Sequence, residues 1–89
     1  MIEFDEAKRQ ANLAKHGCDF LIVDDFDWST AIVREDTRFG YGETRLVALG
    51  FVGVNLYSLV YTEKGSAVRV ISLRTANRKE RMLYAKAKL

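Results

Sequence analysis

The chain has 89 residues, of which 48% are hydrophobic and 29% charged. That is enough for one small folded domain, too apolar for intrinsic disorder, and without any run near the roughly 20 apolar residues of a membrane span. Met1 to Glu6 carries acids where a secretory leader would be apolar, so no membrane association and a cytoplasmic location are expected. A single cysteine, Cys18, excludes an internal disulfide, and with the single histidine, His16, it cannot make a zinc set. There is no proline to mark a linker, so residues 1–89 read as one domain.

The net charge of +2 hides an asymmetry. Residues 1–44 hold five Lys or Arg against ten Asp or Glu; residues 45–89 hold nine against two. A half with an excess of +7 attracts polyanions, unless folding interleaves the two halves and cancels the field.

In chain order, residues 5–16 read as a helix, with Asp5 as its N-cap and Gly17 placed to end it. Phe4, Ala7, Ala11 and Ala14 form its expected buried stripe, and Lys8, Asn12, Lys15 and His16 a neighbouring polar one. Leu13 lies off the apolar stripe and is either a core residue or an exposed anchor for a partner. Asp19 caps a second helix running to about Phe26. The period then changes. Ala31 to Val33, Arg45 to Leu49, Leu56 to Tyr61 and Val68 to Leu73 read as four strands. Tight connections at Gly50 to Gly53 and Glu63 to Ser66 make them an antiparallel meander. Asn77 and Glu80 match a capping box that opens a last helix of about 11 residues, on which Met82, Leu83, Ala87 and Leu89 can face the sheet. The expected class is α+β in the order α-α-β-β-β-β-α.

No metal-ligand cluster, phosphate-cradling glycine loop or nucleophile elbow is present, so neither metal nor cofactor is expected. Arginine, by contrast, recurs on and after the strands, at Arg45, Arg69, Arg74, Arg78 and Arg81. Its planar fork grips phosphate at two points and its charge does not titrate away. RNA cleavage by 2′-hydroxyl attack needs a base, positive groups on the phosphorane, and an acid for the leaving 5′-oxygen. His16, Glu43, Lys8 and Tyr84 are the candidate proton carriers; Arg45, Arg69 and Arg74 are the candidate charge stabilisers. Each has a plainer alternative. His16 suits the negative end of a helix, Lys8 and Lys15 a solvated face, and Tyr84 the edge of a sheet. Arg69 interrupts an apolar strand and must face solvent, pair, or serve a site. Strict alternation puts Arg69 and Arg74 on opposite faces unless the strand bulges or ends between them.

Taken together, Asp5-Glu6-Ala7-Lys8, Asn12, Lys15-His16-Gly17, Gly42-Glu43-x-Arg45, Val60-Tyr61-Thr62 and Arg69-Val70-Ile71-Ser72-x-Arg74 through Glu80-Arg81 and Tyr84 resemble the BrnT toxins over nearly the whole chain. Phe4 stands where that family usually has tryptophan, which keeps a space-filling ring and drops the indole donor. The resemblance implies a RelE-like fold and metal-free RNA cleavage that stops translation and growth. It also implies neutralisation by a BrnA-like ribbon-helix-helix antitoxin, with operator DNA bound only through the toxin–antitoxin complex. The competing reading is a non-catalytic binding module that partners a DNA-binding repressor.

Overall fold

The structure, a computed structural model, describes residues 1–37 and 42–89. Strand β1 (Ile2–Glu3) leads into helix α1 (Glu6–His16), and a 3-10 helix (Phe20–Asp25) follows. Strands β2 (Ile32–Asp36), β3 (Arg45–Val52), β4 (Asn55–Lys64) and β5 (Ala67–Thr75) come next, and helix α2 (Arg78–Ala87) closes the order. Among the described residues five strands form one sheet in the order β1-β5-β4-β3-β2. The four long strands pair antiparallel, and β1 pairs parallel with β5, Ile2 opposite Val68 and Glu3 opposite Arg69. No described helix is long and apolar enough to cross a membrane.

The expected arrangement of two N-terminal helices and a four-stranded meander is therefore corrected on two counts. The sheet is mixed and five-stranded, because two residues ahead of the Asp5 cap add a parallel edge strand too short to carry a periodic signal. The segment after Asp19 is a 3-10 helix, because its apolar residues Phe20, Val23 and Phe26 recur at strict spacings of three.

Capping follows the sequence, whereas the connection expected at Gly50 to Gly53 shrinks to a turn at Gly53 and Val54, because β3 runs on to Val52. The Asp5 carboxylate accepts from the Ala7 and Lys8 N–H groups, and Gly17, at φ 69°, sends its N–H back to the Leu13 carbonyl. Asn77 and Glu80 form the reciprocal capping box of α2.

The main core lies on one face of the sheet, called inner here. Phe20, Val23 and Phe26 pack on Ala48, Leu59, Tyr61, Val70 and Leu73. Phe4 fills space against Phe20, edge to face with centroids 5.8 Å apart. Gly50 has no side chain for a steric reason: a Cβ there would stand 2.4 Å from the Phe26 ring.

The inward faces of both long helices differ from expectation. On α1 the alanines at 7, 11 and 14 are exposed, and Asn12 is buried. The reason is where the helix sits. Strand β1 ends at Glu3, opposite Arg69, so further along β5 the edge peptide of Leu73 needs another partner. The Asn12 amide supplies it, accepting from Leu73 N–H at 3.1 Å and donating to Leu73 C=O at 2.7 Å and to Cys18 C=O at 2.9 Å. A polar side chain, not an apolar one, is what that helix must turn inward. Leu13 stays 37% exposed. On α2, Met82 and Leu83 are exposed, and Glu80 and Tyr84 turn to the sheet instead.

Asn12→Ala should lower unfolding free energy by about 2–5 kcal/mol, since it strands a buried N–H and two carbonyls at about 1–3 kcal/mol per unsatisfied group. Gly50→Ala should cost about 1–3 kcal/mol through overpacking on Phe26. Urea titration followed by circular dichroism measures both; a loss under 1 kcal/mol for Asn12→Ala would contradict the bracing role given to it.

Candidate nucleic-acid site on the outer face

The opposite, outer face of the sheet collects the arginines of the strands. Residues directly opposite on neighbouring strands point to the same side. Arg69 is opposite Thr62 and Arg74 is opposite Ser58, and positions 58 and 62 of β4 share a face. Both arginines therefore lie on one side, although five positions separate them. The register explains it: Val60 faces Ser72 while Tyr61 faces Val70, leaving Ile71 unopposed in a β-bulge. Arg45, opposite Asp36, and Arg34, opposite Val47, belong to the same face. At one end this face is covered by α2, where Tyr84 packs with Leu49, Phe51, Leu56 and Ala76.

The arginines are held differently. Arg74 makes a two-point bridge to Glu80, Nη1 to Oε1 at 2.7 Å and Nη2 to Oε2 at 2.8 Å. Glu80 is also bonded to the Asn77 N–H, and its side chain is only 16% exposed. The Arg74 guanidinium, with lesser help from the Asn77 N–H and the Arg34 charge, holds the Glu80 carboxyl below the usual range. Arg74 thereby ties β5 to α2. Arg69 has a looser partner: its Nη1 lies 3.3 Å from Glu3 Oε1, which also has Lys64 Nζ at 3.9 Å, and its side chain is 40% exposed. Arg45 Nε lies 3.7 Å from Glu43 Oε1.

Glu43 and Arg69 meet in one groove of about 530 Å³, with Thr44, Leu46, Thr62, Glu63 and Lys64. Lys8 and His16 line a second one, of about 290 Å³, with Lys15, Asn12 and the β5 residues Ile71 and Ser72. The structure thus brings Glu43 and Arg69 together beside Arg45, sets Lys8 and His16 across the Ile71 bulge, and places Arg74 further along β5. Tyr84 is not among them. Its hydroxyl donates to the Thr30 carbonyl at 2.9 Å, and its ring packs on Phe51 at 5.4 Å. Cys18 is a buried core residue, and Asp27 is a turn former accepting from Ser29 and Thr30.

Sequence reasoning passed over Arg34, the buried Asp36, Glu3 and the bridging role of Glu80 on this face. Arg34 lies in a strand that runs past Val33 to Asp36, and the charged run Arg34-Glu35-Asp36 has no apolar alternation to mark it as strand. Glu80 reads as a helix cap and as part of the family resemblance, not as the partner of Arg74. Glu3 carries no local signal, since its role comes from pairing with a strand 66 residues away.

The family model of BrnT, the ribonuclease toxin of type II toxin–antitoxin systems, matches residues 4–80. No curated protein matches the chain.

Glu80→Gln should lower the melting temperature at pH 7, because it removes a carboxylate that Arg74 favours in charged form. The folded pKa lies below 4.5, so this stabilisation is complete above pH 4.5 and is lost as pH falls through the folded value. The gap between wild type and variant should therefore close toward pH 3. A gap that stays constant from pH 7 to pH 3 would rule out the ionic origin.

Proposed function

As the chain belongs to the BrnT family of ribonuclease toxins, with RNA as substrate and an antitoxin as partner, we propose that residues 1–89 form one toxin domain and that it cleaves RNA without a metal on the outer face of the sheet. The observation that carries this reading is the groove shared by Glu43 and Arg69, with Arg45 alongside Glu43.

Glu43 is the base. Its side chain is 53% exposed, which leaves it open to a substrate 2′-hydroxyl. The 2′-oxygen attacks phosphorus, the 5′-oxygen leaves, and a 2′,3′-cyclic phosphate remains. Arg69 and Arg45 offset the charge that builds on the phosphorane. Arg69 suits this better than Arg74, since a phosphate can replace one 3.3 Å contact to Glu3 more readily than a two-point bridge to a mostly buried carboxylate. Arg74 is a positioning residue that acts through Glu80 and α2. His16, with Lys8 and Lys15, carries the substrate chain past Ser72 and is the candidate donor to the leaving oxygen. Fixed guanidinium charge supplies what a divalent cation supplies elsewhere, which supports metal independence. The partner is a BrnA-like ribbon-helix-helix antitoxin, and operator DNA is reached only through the complex. Cleavage inhibits translation and growth.

The purified chain should degrade RNA in excess EDTA and spare a substrate with 2′-deoxyribose at the scissile position. Arg69→Ala should lower the rate by about 10²–10³ with little change in melting temperature. Activity that disappears in EDTA and returns with Mg²⁺ would refute the metal-free mechanism, and no activity under either condition would favour the non-catalytic binding module.

A further inference from the structure

Helix α2 buries no residue completely, and it leaves its two largest aliphatic side chains to solvent: Met82 is 62% exposed and Leu83 50%. They are not scattered. Lys79, Met82, Leu83 and Lys86 follow the spacing i, i+3, i+4, i+7, which makes one helix stripe with a cation at each end. All four line a groove of about 530 Å³ whose other wall includes Arg34 of β2. The acid in that groove, Glu80, is already committed to Arg74 and the Asn77 N–H. What remains is an apolar floor between two lysines, with Arg34, whose charge also acts on Glu80, on the far wall. Two other exposed apolar residues lack this setting. Leu21 stands in a 3-10 helix that ends in Asp24 and Asp25, and the Trp28 ring is already packed on Phe26 and Tyr61.

We propose that this groove seats an acidic amphipathic segment of the antitoxin, its apolar residues covering Met82 and Leu83 and its carboxylates reaching Lys79, Lys86 and Arg34. RNA would meet the same cations, yet it gains little from two aliphatic side chains between them, so the chemistry of the stripe favours a peptide. The inference rests on the antitoxin partnership stated above and makes the anchor α2, not Leu13 of α1. A segment bound here lies against the Arg74–Glu80 bridge, at the margin of the arginine face, and so blocks RNA by occupying the approach to it.

The probe is the protein encoded by the adjacent reading frame, co-expressed and purified with the chain. Met82→Asp and Leu83→Asp change exposed residues and should keep the melting temperature and the RNA cleavage rate of the free chain. Each should weaken capture of that protein about 30-fold or more, as expected for a central apolar anchor. The double variant Lys79→Glu/Lys86→Glu should slow association about tenfold, most at low salt. Leu13→Asp, the comparison variant, should bind as wild type does. Wild-type chain that fails to bind the neighbouring product would remove the partnership itself. Wild-type binding with undiminished affinity in Leu83→Asp, or lost affinity in Leu13→Asp alone, would remove only the α2 site. Two further results would also overturn it: loss of RNA cleavage without loss of protein binding assigns the groove to RNA, and a self-associating chain made monomeric by Leu83→Asp, with capture unchanged, assigns it to a second copy.

Discussion

The fold hangs on one side chain at a sheet edge. Strand β5 is paired on its outer side only as far as β1 reaches, and beyond that point the Leu73 peptide would be left without partners. The Asn12 amide answers its donor and its acceptor at once and reaches the Cys18 carbonyl as well. A carboxamide offers a donor and an acceptor side by side, the same pair a neighbouring strand presents. Helix α1 thus takes the place of a strand, and the 3-10 helix that follows is delivered to the inner face, where Phe20, Val23 and Phe26 complete the core.

That constraint explains which features could be read from the sequence. Caps and turns are local, and Asp5, Gly17, Asn77 and Glu80 do what their types and spacing suggest. Helix faces are decided by what lies opposite them. The α1 alanines formed a plausible buried stripe, but the helix meets a polar edge rather than an apolar surface, so Asn12 won. On α2 the aliphatic pair Met82 and Leu83 lost to Glu80, which Arg74 holds, and to Tyr84, whose hydroxyl reaches the Thr30 carbonyl. In both helices specific polar partners outrank hydrophobic periodicity, and those partners lie far away in sequence.

The candidate site shows the same division. Residue types singled out the arginines, Glu43, His16 and Lys8, whereas their grouping depended on register. One unopposed residue, Ile71, turns Arg69 and Arg74 to the same side, and no local pattern around Val68 to Leu73 announces that bulge. Acids next to the arginines then set their availability. Glu80 locks Arg74 in place, and Glu3 holds Arg69 through a single longer contact, so two chemically identical side chains on one strand are left with different freedom to meet a phosphate.

The pairing of β1 with β5 has a consequence for the order of assembly. The first strand in the chain closes the sheet only against the last one, and the contact from Asn12 to Leu73 spans 61 residues. Both depend on loop closures whose entropic cost must be met before either contact can stabilise anything. During synthesis, β1 and α1 leave the ribosome with their edge partners still untranslated, and Glu3 has no arginine to hold. The outer face is therefore completed late, so a chain interrupted before β5 would carry Glu43 and Arg45 but neither Arg69 nor Arg74 beside them.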